Sequence, residues 1–78
     1  MTGLERITYD QNIMGGKACI RGLRITVSTI LNLIANEMSM DDILRAYPYL
    51  ELEDIHQSLR YAAWLAEENV LSLEQASV

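Results

Sequence analysis

The sequence has 78 residues, of which half are hydrophobic, 22% are charged and one is a cysteine, and its formal net charge is −5. These values predict one small globular domain spanning residues 1–78, and they exclude an intrinsically disordered chain and an internal disulfide. No apolar run approaches the roughly 20 residues that span a bilayer, and the acids near the start are not typical of a signal peptide. We therefore expect a cytoplasmic protein without membrane contact.

Charge is distributed unevenly along the chain. Residues 1–24 carry four basic and two acidic side chains, a balance of +2, whereas residues 25–78 carry two basic and nine acidic ones, a balance of −7. The overall field of an acidic protein repels DNA, so a nucleic-acid contact would have to use the basic N-terminal segment. A basic protein partner could equally well meet the acidic remainder.

The first 25 residues predict a short β and loop segment. Residues 7–10 and 18–20 are two short runs of strand-forming character, and the glycines around the second run predict turns. Strands of three or four residues are not stable alone. They must pack on helices or pair with another chain.

From Thr26 onward the hydrophobic spacing is that of amphipathic helices. A first helix begins near Thr26, and a second begins after Ser39, a typical N-cap residue. Pro48 ends the second helix because the residue before a proline is pushed towards extended geometry. The third and longest predicted helix begins near Leu52 and continues to Val70.

The predicted organisation is one domain in three parts: the β and loop segment at 1–25, a three-helix core at 26–72 and a tail at 73–78. Three helices joined by short turns are typical of a trihelical, helix-turn-helix-like bundle. The predicted fold class is therefore mainly α, with a short N-terminal two-stranded β element.

The inventory of reactive side chains predicts no catalytic residue, no metal site and no cofactor. The single histidine, His56, is expected to be an exposed or half-buried polar residue, and Cys19 a small buried apolar one. The acid pairs at 41–42 and 53–54 fall in the first turns of helices, where the helix dipole favours negative charge without any catalytic role. We therefore expect the protein not to be an enzyme.

The basic segment offers the strongest candidate binding residues, namely Lys17, Arg21, Gly22 and Arg24. In one interpretation Gly22 forms a tight turn that projects both guanidinium groups outward, as a clamp for phosphates or carboxylates. In the other, this is a solvated loop whose arginines pair with acids on the helices.

The third helix carries two further sets of candidates. Gln57 and Arg60 are its useful base readers, but the acids at its start predict that it is not a conventional recognition helix. Tyr61, Trp64 and Leu65 are spaced so that their side chains meet. They either complete the monomer core against the N-terminal strands or form the interface of a symmetric homodimer.

The order and spacing of several motifs resemble a bacterial family known as the domain of unknown function 433. The resemblance runs from about Arg6 to Trp64 and departs from the family where Ala18, Leu23 and Thr26 replace its common Pro, Thr and Pro. The motifs are GKACIRGLRI at 16–25, MDDIL at 40–44, Tyr47-Pro48 and LEDI at 52–55, followed by Leu59 and Tyr61-Ala62.

That family is grouped with VapB-type antitoxins and with homeodomain-like helix-turn-helix folds. The resemblance implies a small trihelical protein that is often a dimer and pairs with a PIN-like nuclease toxin. We therefore expect a non-enzymatic, antitoxin-like binding module of a toxin-antitoxin pair. The alternatives are a dimeric helix-turn-helix-like DNA-binding transcriptional regulator and a structural or assembly module.

Overall fold

The computed structural model describes residues 3–77, and the side chains of residues 3–67. The elements in chain order are β1 (Ile7–Thr8), a short 3₁₀ turn (Met14–Gly16), β2 (Cys19–Ile20), α1 (Val27–Ala35), α2 (Met40–Ala46) and α3 (Leu52–Ser77). Three helices with a short two-stranded sheet confirm the predicted mainly α fold class.

The small sheet is antiparallel and consists of β1 and β2, and β2 also contacts the segment that follows it. Ile7 of β1 lies opposite Ile20 of β2, and the Ile20 N–H also donates to the carbonyl of Ile25 on the other side, at 3.2 Å. The chain reverses between these segments at Arg21 and Gly22, whose φ angles are 46° and 70°. A tight hairpin turn with two central residues of positive φ fits the twist of the flanking strands.

The helices begin and end where their side chains dictate. The Thr26 hydroxyl accepts the Thr29 N–H, and the Ser39 hydroxyl accepts the Asp42 N–H, each at 3.1 Å. Both residues are therefore N-caps: the sequence predicted Ser39, and for α1 it left Thr26 and Ser28 as alternatives. Helix α2 ends before Pro48, as predicted.

The core is made of branched aliphatic side chains from β2, from the three helices and from the segments between them. Burying one such side chain contributes about 1.5–3 kcal/mol to the free energy of folding, so these few residues are a main source of stability in a domain of this size. Cys19 is buried beside them, as the sequence predicted for this residue. The core residues are Ile20, Ile25, Val27, Ile30, Ile43, Leu50 and Ile55.

Helix α3 is longer than the sequence predicted. It continues past Val70 to Ser77, through most of the segment expected to be a tail, since no glycine or proline stop signal follows Val70. Residues 63–67 are all exposed, so this part of α3 lies outside the core. Within the described part of the chain, no helix combines the length and the apolarity that crossing a membrane requires.

Candidate functional site

A buried carboxylate, that of Asp54, lies at the start of α3 and holds two arginines. Asp54 is 0% exposed. Arg21 binds it with two hydrogen bonds, from Nε to Oδ1 at 3.1 Å and from Nη2 to Oδ2 at 2.9 Å. Arg6 adds a third, from Nη1 to Oδ1 at 3.0 Å, and the backbone N–H of Glu51 donates to Oδ2 at 2.8 Å. We call Asp54, Arg6 and Arg21 the Asp54 cluster.

The side chain of Gln57, one turn further along α3, is also buried and bound on both sides. Its Oε1 accepts the backbone N–H of Arg6 at 2.8 Å, and its Nε2 donates to Glu5 at 3.0 Å and to Glu53 at 3.3 Å. The Asp54 cluster and Gln57 together fix the N-terminal segment and the 21–22 turn to the first two turns of α3.

The charges of the cluster compensate each other. Burial raises the pKa of Asp54, but hydrogen bonds from Arg21, the Glu51 N–H and Arg6 outweigh it, so the pKa lies below its usual value. The hydrogen bond to Asp54 likewise raises the pKa of Arg21. Asp54 is therefore ionised at neutral pH. The bidentate pair also offsets the roughly 1–2 kcal/mol that a left-handed backbone costs a residue such as Arg21.

The basic segment predicted as one binding unit is divided by the structure. The expectation that both guanidinium groups project outward is wrong for Arg21: its side chain is 35% exposed, but its Nε and Nη2 bind Asp54 and the Tyr49 carbonyl. The alternative interpretation, pairing with an acid on a helix, describes it. Lys17, Gly22 and Arg24 are exposed. Among the side chains of residues 3–67, no acid forms an ion pair with Lys17 or Arg24.

The two predicted base readers are both occupied within the chain. Gln57 is 0% exposed and its amide is fully bound, so the expectation that it contacts DNA is wrong. Arg60 is accessible, but it pairs with Glu53 at 3.1 Å. Hydrogen bonds from Gln57 and then Arg60 lower the pKa of Glu53 despite its partial desolvation. The partly exposed carboxylate at the start of α3, that of Glu53, is thus paired with Arg60, and Glu51 just before the helix is paired with Arg6.

The predicted interface residues differ in exposure. The Tyr61 hydroxyl lies 2.9 Å from the Tyr9 hydroxyl, which ties Tyr61 to the N-terminal segment. Burial and this hydrogen bond raise the pKa of Tyr9 to about 12. Trp64 and Leu65 remain 39% and 41% exposed. The ring centroids of Tyr61 and Trp64 are 6.3 Å apart, so an aromatic surface continues from the body onto α3.

A groove beside this surface was not predicted from the sequence. It has a volume of about 350 Å³ and lies between residues 17–18, the first half of α1, and α3. The sequence contained one signal for it: α1 is apolar on more than one face, and one helix cannot bury every face in so small a core. We call it the α1/α3 groove; its lining residues are Lys17, Ala18, Thr26, Val27, Ser28, Leu31, Tyr61 and Leu65.

Comparison with known proteins places the chain in a family. The model of a family described as proteins of unknown function (DUF433) matches residues 7–62, which is more than half of the sequence, and the chain therefore belongs to this family. No curated protein and no solved structure matches the chain. The matched range includes Arg21, Asp54, Gln57 and most of the groove, and it ends before Trp64.

Replacing Asp54 by asparagine leaves two guanidinium groups around a neutral amide. Removing one partner of a buried ion pair typically costs about 3–5 kcal/mol, so Asp54→Asn should lower the free energy of unfolding by that amount, as measured by urea denaturation. The matched control is Asp42→Asn, which removes an exposed ion pair with Arg45 and should cost less than about 1 kcal/mol. Equal losses in the two variants would contradict the assigned role of the cluster.

Lowering the pH should remove the negative charge of Asp54, as the substitution by asparagine does. Because the folded pKa of Asp54 lies below the unfolded value of about 3.9, its contribution is fully present above pH ~4. It is lost as the pH falls through the folded pKa, and Glu53 acts with the same sign. We expect the free energy of unfolding to fall steeply below pH ~4, and less steeply in Asp54→Asn. A wild-type stability that is unchanged between pH 5 and pH 2 would refute this.

Proposed function

We propose that the chain is a non-enzymatic, antitoxin-like binding module that acts as a homodimer in the cytoplasm and binds a PIN-like nuclease. The observation that carries the proposal is the contrast between two arginines of one turn. Arg21 is fixed to Asp54, whereas Arg24 is exposed and has no acid partner among the described side chains. An anchored turn that presents a free guanidinium group is suited to recognising a carboxylate on another protein.

The guanidinium group of Arg24 suits the chemistry of a nuclease centre. Carboxylates that hold a divalent cation are a natural target for a planar guanidinium group, which can bind two oxygens of one carboxylate. Arg24 entering such a centre would neutralise the acids that otherwise hold the metal. Arg21 is less suited to this purpose, because its Nε and Nη2 already bind Asp54 and the Tyr49 carbonyl.

The remaining surface favours a protein partner. Trp64 and Leu65 are exposed and adjoin the half-buried Tyr61, a composition found in protein interfaces, and Lys17 borders them in the α1/α3 groove. The formal net charge of −5 opposes a close approach to phosphates.

The proposal is tested by co-purification of the chain from its native host with the product of the neighbouring gene, and by inhibition of that product's nuclease activity. We expect Arg24→Ala to weaken inhibition by about tenfold or more, the cost of losing one charge-assisted contact at an interface. Arg45→Ala, which removes an equally charged and exposed arginine on α2, should leave inhibition unchanged. The absence of any complex, or equal effects of both variants, would refute the proposal.

DNA binding is the second candidate, and the exposure of Lys17 and Arg24 is what favours it. A homodimer would bring four such cations to phosphates, so the logarithm of the affinity should fall against the logarithm of salt with a slope of about −3 to −4. Lys17→Ala, which removes two cations per dimer, should reduce that slope by about 2. A slope near zero, or no measurable binding, would dismiss this candidate, and failure of both tests would favour a structural or assembly module.

A further inference from the structure

We propose that the α1/α3 groove of one chain receives α3 of a second copy, so that two chains form one symmetric interface. The inference rests on the homodimer included in the proposed function and names the surface that forms it. The exposed apolar side chains near the end of the described part of α3 adjoin the groove. Leu65 belongs to both, since it lines the groove and is 41% exposed.

The groove has the chemistry of a helix-binding surface. Val27, Leu31, Tyr61 and Leu65 provide apolar walls, and Lys17 lies among the lining residues as its cation. No acid among residues 3–67 forms an ion pair with Lys17. An apolar helix that carries negative charge is therefore the complementary occupant.

Helix α3 has those properties. Its exposed part contains Trp64 and Leu65, and residues 61–77 carry three acidic side chains and no basic one. Arg24 acts in the same direction, because it is the other basic residue of 1–24 that has no ion pair among the described side chains. The occupant that fits the charge and the apolarity of the groove is present in every copy of the chain.

The placement of these residues also allows an interface with closed twofold symmetry. Tyr61, Trp64 and Leu65 lie on one side of α3, and two of them line the groove. Two antiparallel copies of α3 related by a twofold axis near Leu65 would place the exposed apolar residues of each chain on the groove of the other. Such an isologous contact ends at two chains and does not propagate into a filament.

The first test uses two exposed leucines of the same helix. Leu65 is 41% exposed and lines the groove, whereas Leu52 is 47% exposed and lies outside it. In sedimentation equilibrium of the full chain, Leu65→Gln should raise the dimer dissociation constant by about tenfold or more, because each dimer loses two leucine contacts. Leu52→Gln should change it by less than about threefold. Both variants should retain the helical content of the wild type by circular dichroism.

The second test uses charge. Lys17→Glu and Arg45→Glu change the net charge of the chain by the same amount, but only Lys17 lines the groove. We expect Lys17→Glu to weaken dimerisation by about tenfold or more and Arg45→Glu to leave it nearly unchanged. Trp64, the one tryptophan of the sequence, supplies a further signal: its emission should shift to shorter wavelength as the chain is concentrated.

The outcomes separate this inference from the proposed function. A dimer that forms with wild-type affinity in both Leu65→Gln and Lys17→Glu would overturn the groove assignment while the homodimer itself stands on another surface. A wild-type chain that stays monomeric up to roughly 100 μM, a weak association by the scale of stable dimers, would overturn both the groove assignment and the homodimer.

Discussion

The buried carboxylate of Asp54 is the interaction on which the arrangement of this small protein depends. An ionised group buried beside a core of seven aliphatic side chains would be strongly unfavourable without partners. Here it accepts hydrogen bonds from Arg21, from Arg6 and from the backbone N–H of Glu51, the residue just before α3. Two segments that are distant in sequence, the N-terminal segment and the 21–22 turn, are thereby fixed to the start of α3. The two-residue strands need this support, since they are too short to be stable alone.

This constraint also explains how the basic residues divide. Arg21 lies in a left-handed turn and binds Asp54 and the Tyr49 carbonyl within the chain, so it holds the turn in place. Arg24 and Lys17 lie to either side of this anchored segment and remain exposed. A rigid support with a free cation nearby is a favourable arrangement for recognition, because little conformational freedom is lost on binding.

The later part of α3 differs in burial from its first two turns. Asp54, Ile55, Gln57 and Ser58 are buried, whereas residues 63–67 are exposed and include large apolar side chains. The family match covers the anchored part of the chain and ends before this exposed part. A core as small as this one gains stability when such a surface is covered by a partner.

The sequence by itself determined the helices, the N-cap at Ser39, the stop at Pro48 and the two short strands, because these depend on local spacing and on side chains near their own backbone. It also placed Cys19 in the core. Only the tertiary structure decided which acid each arginine meets: Arg21 and Asp54 are 33 residues apart, and no local pattern links them. The α1/α3 groove and the burial of Gln57 were decided in the same way, since both depend on how α1, α3 and the N-terminal segment pack. Hydrophobic periodicity in the sequence determines which face of a helix is apolar. Which helix faces pack together, and which charged side chains pair, depends on contacts that exist only in the folded chain.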